Sequence, residues 1–136
     1  MSPSGYSGTP LAKKIGVKSG NVVCHINAPN DYKEVLSPLP ENVILINGLE
    51  PKADIIHAFV HNRGELESIY PNLYSGIHKN GMIWISWPKK ASGIQTDLNR
   101  DFIREYILER GLVDVKVASY NDVYSGLKFV FRTKDR

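Results

Sequence analysis

Three runs in this chain, residues 43–46, 54–60 and 82–87, are almost continuously apolar, and turn-forming residues bound each of them. A strand with one wet face alternates apolar and polar side chains. An uninterrupted apolar run needs cover on both faces, the situation of a parallel strand inside an α/β sandwich. Parallel neighbours cannot be joined by a tight turn and need a crossover, usually a helix. These runs therefore predict a layered α/β fold before any motif is considered.

The rest of the chain fits that frame. Residues 21–27 are a β-branched run and read as strand one, broken by Ala28-Pro29-Asn30. Before it, Thr9 and Pro10 suit the start of a short helix over 11–15, with Thr9 as N-cap and Pro10 at the first helical position, and Gly16 suits its left-handed end. A second short helix is expected over 31–36, ended by Ser37-Pro38. Runs 43–46 and 54–60 are strands two and three. Asn62 and Glu65 have the spacing of a capping box, followed by Leu66, Ile69, Leu73 and Ile77 at helical period. Pro71 should kink or split that helix, and Lys79-Asn80-Gly81 should end it. Strand four is 82–87, and 88–95 reads as a loop. Thr96 is placed to cap an amphipathic helix bearing Leu98, Phe102, Ile103, Tyr106 and Ile107, with Gly111 at its end. Residues 113–120 and 127–132 are two further strands. The short turn at Asn121-Asp122 makes them an antiparallel hairpin.

At 136 residues the chain has the size of one domain. Residues 1–8, rich in Ser and Gly, read as a flexible arm ahead of a single domain over 9–136. Apolar residues make up 42% and charged residues 23%, which excludes an intrinsically disordered chain. No apolar run reaches the roughly 20 residues of a membrane span. Residues 1–8 lack an apolar signal core, and the single cysteine, Cys24, can form no internal disulfide and no thiolate zinc site. The expected setting is cytoplasmic, without membrane partners. The net charge is +3. Beyond Lys90 most basic residues alternate with acids, the pattern of a solvated helix face rather than of a nucleic-acid stripe.

The order of elements resembles the class I methyltransferase fold, a Rossmann-like sheet whose last strand is an antiparallel hairpin partner. The resemblance runs from Leu11 to Arg132 and lacks one strand–helix unit after strand two. It implies a three-layer sandwich with a six-stranded, mostly parallel sheet in the order 2-1-3-4-6-5. Several segments also resemble a family of small bacterial proteins without an assigned activity: Gly5-Tyr-Ser-Gly-Thr-Pro-Leu-Ala-Lys-Lys-Ile-Gly16, Asn27-Ala28-Pro29, Trp87-Pro-Lys-Lys-Ala-Ser-Gly93, Thr96-Asp97-Leu98, Gly111-Leu-Val-Asp114 and Tyr124-Ser-Gly-Leu127.

In open parallel sheets, ligands sit beyond the carboxyl ends of the strands, where strand order reverses. That edge would gather Asn27, Ala28, Pro29, His61, Asn62, Arg63, Ser86, Trp87, Pro88, Lys89 and Lys90. The ammonium groups of Lys89 and Lys90 suit an anion, whereas Trp87 equally suits the core. His61, at a strand end, suits a general base. His25 and His57 lie inside apolar strands and read as packed residues. No metal centre is expected, because no carboxylate has matching spacing. The resemblance implies a glycine-rich turn after strand one and an acid at the end of strand two, for S-adenosylmethionine. This sequence has Asn27-Ala28-Pro29-Asn30 and Asn47 there, with Glu50 the nearest carboxylate. The sequence therefore points first to a binding or regulatory module without turnover, holding an anionic or nucleotide-like ligand. A divergent S-adenosylmethionine-dependent methyltransferase is the second reading. A protein or nucleic-acid interaction module, such as a homodimer, is the third.

Overall fold

The structure is a computed structural model and describes residues 10–49 and 52–136. The arm, Thr9 and Glu50 lie outside the described residues. The elements run α1 (Leu11–Ile15), β1 (Val22–Ile26), α2 (Tyr32–Leu36), β2 (Ile44–Asn47), β3 (Ala53–Phe59), α3 (Arg63–Gly76), β4 (Ile77–Pro88), α4 (Arg100–Leu108), β5 (Leu112–Val117) and β6 (Tyr124–Phe131). One sheet has the order β2-β1-β3-β4-β6-β5. Strands β1 to β4 are parallel, and β6 lies antiparallel to both β4 and β5. The architecture is the Rossmann-like sandwich and strand order expected from the sequence.

The period-two direction of strand side chains sorts the core into two layers. On one face, Ile56 and Ala58 of β3, Val60 just beyond it, and Ile83, Ile85 and Trp87 of β4 pack under Leu66, Tyr70 and Leu73 of α3 and Ile103 and Ile107 of α4. On the other, Val23, Ile55, Phe59 and Trp84 pack under Ala12 and Ile15 of α1 and Tyr32 and Leu36 of α2. Strand β3 is buried on both faces, as its apolar run demands. Strand β2 is not. It is an edge strand with Ile44 54% exposed, so its apolar run lacks the double cover expected of it.

Local chemistry explains the other differences. Helix α1 begins at Leu11, with Pro10 one position outside it, and Gly16 closes it at φ 98°. Pro71 lies inside α3 without splitting it. The segment 77–81, expected as a helix end, is instead the start of β4. Buried Ile77 pairs with Ala53, and the register shifts between Ala53 and Ile55. Gly81 makes that path available, since a Cβ there would lie 2.7 Å from the Asp54 carbonyl oxygen. Residues 88–95 contain a single 3₁₀ turn, Lys90–Ser92. Helix α4 is capped by Asn99, whose Oδ1 accepts the Phe102 N–H, rather than by Thr96.

The cap of α3 is the one read from the sequence: Asn62 Oδ1 accepts the Glu65 N–H at 2.8 Å. Asn62→Ala should lower stability by about 1 kcal/mol, read as a shift of the urea midpoint at unchanged m-value.

Candidate functional site

Strand order reverses between β1 and β3, and their carboxyl ends open onto a cleft of ≈ 410 Å³. Its walls are Asn27 at the end of β1, Val60 beyond β3, and Gly64, Glu65, Ser68, Ile69 and Asn72 on the first turns of α3. The chain turns out of β1 through Asn27 at φ 56°, a left-handed conformation that asparagine tolerates better than most residues. Ala28 and Pro29 do different work. Ala28 packs against the α1/α2 core, and the Pro29 carbonyl accepts the Tyr32 N–H at the start of α2.

Beside the cleft lies a chain of three polar side chains. Glu65 Oε1 accepts the His61 backbone N–H at 2.8 Å and stands 3.4 Å from His61 Nδ1. His61 Nε2 is 2.9 Å from the Tyr124 hydroxyl, which arrives from the start of β6. The side chains of His61 and Glu65 are 35% and 41% exposed, so the chain reaches water. Burial, and then the Glu65 charge, hold the Tyr124 phenol above its ordinary pKa. Thr96 ties the neighbouring loop down, its hydroxyl donating to the His61 carbonyl at 2.7 Å.

A second depression, a groove of ≈ 670 Å³, runs between the start of α3 and the loop after β4. Arg63, Lys90 and Arg100 line it with Trp87 and Asp97. Asp97 accepts the Arg63 N–H, Arg63 Nε donates to the Asp97 carbonyl, and the guanidinium lies over the Phe102 ring at 4.1 Å. The two adjacent lysines are thus separated. Lys90 lines the groove, while Lys89 stands outside its walls and its N–H donates to the Val123 carbonyl. Trp87 is 6% exposed and packs into the α3/α4 core.

Ser86 belongs to the interior rather than to the edge. It is 1% exposed, and its hydroxyl lies 2.8 Å from His57 Nε2, whose Nδ1 lies 2.9 Å from the Tyr32 hydroxyl. With both ring nitrogens bonded, burial and then His25 depress the His57 pKa to about 3, so this imidazole is neutral. Its two hydrogen bonds pin β1's following helix to β4 across β3. The His25 ring lies 4.7 Å from the Tyr32 ring, tilted by 32°. Among the described residues no cluster of His, Cys, Asp and Glu is arranged to hold a metal. Among the described residues no helix is long and apolar enough to cross a membrane.

The expected edge residues are therefore gathered only in part. Asn27 reaches the cleft, His61 borders it, Asn62 is spent on its cap, and Lys90 serves a neighbouring groove. Gly64 and Glu65 also line the cleft and Tyr124 bonds to His61, three residues that the sequence reading does not place at this edge. Glu65 was legible only as half of a capping box. Tyr124 is 63 positions from His61, a pairing that needs the β4–β6 register. The position that the resemblance reserves for an acid is held by exposed Asn47, which pairs in register with His25.

This sheet order, with its antiparallel β6 and its cleft at the β1/β3 reversal, is the class I methyltransferase fold. The chain is similar to the structure titled as a DhpI complex with S-adenosylhomocysteine at TM-score 0.64, with 8% identity over 91% of this chain and 83% of that one. It is similar to magnesium protoporphyrin IX methyltransferase of Synechocystis with bound S-adenosylmethionine at TM-score 0.57, with 11% identity over 90% and 74%. A TehB-like methyltransferase from Corynebacterium glutamicum follows at TM-score 0.56, with 11% identity over 90% and 86%. No family model and no curated protein matches the chain.

Proposed function

We propose that the chain is a divergent S-adenosylmethionine-dependent methyltransferase whose ligand enters the cleft at Asn27, Val60 and Gly64. The observation that carries this reading is the cleft itself. It lies at the β1/β3 reversal, where the fold presents its ligand site. Gly64 leaves its floor without a side chain. Asn27 is exposed there, with an amide able to donate and accept hydrogen bonds to a sugar or a base. The similar solved structures described as holding S-adenosylmethionine or S-adenosylhomocysteine support the same ligand class. Trp87 does not fill the cleft, because it is packed into the α3/α4 core.

A second reading has its own observation. The turn Asn27-Ala28-Pro29-Asn30 has no glycine, Pro29 offers no N–H, and Asn47 supplies no carboxylate for ribose hydroxyls. These features favour a binding module without turnover. The two readings share a ligand site and differ in chemistry.

Calorimetric titration with S-adenosylhomocysteine tests the site. At a hundredfold excess over Kd, binding should add about 2.7 kcal/mol and raise Tm by several degrees. Asn27→Leu should remove most of that shift while leaving the unliganded Tm within a few degrees. Absence of any shift with S-adenosylmethionine, S-adenosylhomocysteine and nucleotides would rule out both readings. Binding without methyl transfer to any acceptor would leave the module.

A further inference from the structure

We infer that Glu65, His61 and Tyr124 form a proton relay that touches the cleft through Glu65, and that Tyr124 takes the proton of a hydroxyl- or amine-bearing methyl acceptor. The substrate class rests on the methyltransferase reading above; the relay itself rests on geometry. Glu65 Oε1, an acceptor, faces His61 Nδ1 at 3.4 Å and already holds the His61 backbone N–H at 2.8 Å. Its charge favours the tautomer with the proton on Nδ1. Nε2 is then left as an acceptor, and the group that faces it at 2.9 Å is the Tyr124 hydroxyl. The order carboxylate, imidazole, hydroxyl is the arrangement that activates nucleophiles in hydrolases, with a phenol in the last place.

Each component is held from a different element. Glu65 sits in the first turn of α3, fixed by the Asn62 cap on its own N–H. His61 is held through its backbone by Glu65 and Thr96. The Tyr124 ring packs edge-on against Phe59 at 5.2 Å and against His61 at 5.7 Å. Its backbone N–H is taken by Asn121 Oδ1. Glu65 also lines the cleft, so the relay and the ligand site share a wall.

The step balances with a sulfonium methyl donor, the co-reactant that the proposed function names. The acceptor X–H gives its proton to Tyr124 Oη as the Tyr124 proton passes to His61 Nε2, and Glu65 steadies the imidazolium. With that donor bound, the freed electron pair on X would attack its sulfonium methyl. The S–CH₃ bond breaks, the X–CH₃ bond forms, and its electrons remain on sulfur as a neutral thioether. The proton leaves to water from exposed His61. Direct ionisation of Tyr124 is opposed by its burial and by Glu65, so the phenol works only with His61 as its partner. Glu65 is a positioning residue, acting through His61.

The relay is testable without a known acceptor. Benzenesulfonyl fluoride forms a sulfonate ester on an activated phenol, losing fluoride while the phenol proton goes to the base. At pH 7.5, Tyr124 should label at least tenfold faster than Tyr74, an exposed tyrosine outside the relay. His61→Gln should bring Tyr124 down to the Tyr74 rate. Ring nitrogen shifts of His61 by NMR should show the Nδ1–H tautomer, and Glu65→Gln should erase that preference. Equal Tyr124 labelling in the wild type and His61→Gln, in variants with unchanged circular dichroism, overturns the relay. Wild-type titration with S-adenosylhomocysteine separates the two ideas. If it binds and labelling ignores His61, only the relay falls. If it does not bind and labelling depends on His61, the relay stands and its assignment to methyl transfer falls.

Discussion

Trp84→Ala should lower the free energy of unfolding by about 3–5 kcal/mol, the range for deleting a large aromatic side chain from a closed core. Trp84 is 1% exposed and lies in the layer under α1 and α2 with Phe59 and Ile55. Its indole N–H donates to the Ile15 carbonyl at 2.9 Å, at the end of α1. Helices α1 and α2 have five residues each, far below the length at which a helix holds itself together in water. They exist because the sheet face beneath them is apolar and fitted to them. Removing the indole both opens a cavity and orphans a buried carbonyl. Urea denaturation measures the loss, and hydrogen exchange should show α1 opening before β3 and β4. Trp84→Phe, which keeps much of the volume and loses the hydrogen bond, should fall between. A loss below about 1 kcal/mol for the alanine variant would mean that the α1/α2 layer is packed less tightly than its exposures say.

Acidification should weaken the protein, and His57 should be the main cause. In the fold its pKa is depressed to about 3 by burial and by His25; in the unfolded chain it returns to 6.5. As pH falls, the unfolded state takes up this proton first, so the stabilisation is complete above pH 6.5 and drains away toward pH 3. By pH 4 the loss is about 3 kcal/mol, a large part of a small domain's stability. His25, also lowered by burial, acts in the same direction. The check is a set of denaturation curves between pH 7.5 and 4 for the wild type and His57→Gln. The variant is expected to start less stable, because Tyr32 and Ser86 lose a well-placed partner, and to show a shallower pH slope. Equal slopes would remove His57 from the account. A protonated His57 would face the Tyr32 and Ser86 hydroxyls and the His25 ring, with no carboxylate among its hydrogen-bond partners.

The two chemical centres differ in how far they could be foreseen. The fold was legible because its signals are local. The β-branched strand one, the apolar runs and the Asn62–Glu65 capping box each report on a few neighbouring residues. Gly16 is another such signal. The misread element, the start of β4, shows the limit of that reasoning. Ile77 continues the helical spacing of Leu66, Ile69 and Leu73, yet it pairs with Ala53 because the sheet offers both a ladder and a buried site. Thr96 is a good capping residue one loop too early; its hydroxyl is taken by the His61 carbonyl, and Asn99 caps instead. His61 could be placed at a strand end and given a role, but its partners Glu65 and Tyr124 could not be chosen. Ser86 looked like an edge residue because it ends a strand beside Trp87. The register sets Ser86 opposite Phe59, two positions along from His57 on the same face, and only the folded structure brings its hydroxyl to the His57 ring.

Read as a one-dimensional pattern, these residues specify the strands, the helices, their alternation and hence a twisted, mostly parallel sheet. Hydrophobic periodicity and capping chemistry act over a few positions and are written directly in the chain. Which side chains meet at the carboxyl edge is a different matter. That depends on strand register, where a slip of one residue sends every side chain to the opposite face, and on the approach of segments many positions apart. The cleft at Asn27, the chain from Glu65 through His61 to Tyr124, and the buried bonds of His57 to Tyr32 and Ser86 all arise at that level. They are created by packing, and they are where the chemistry of this protein is to be sought.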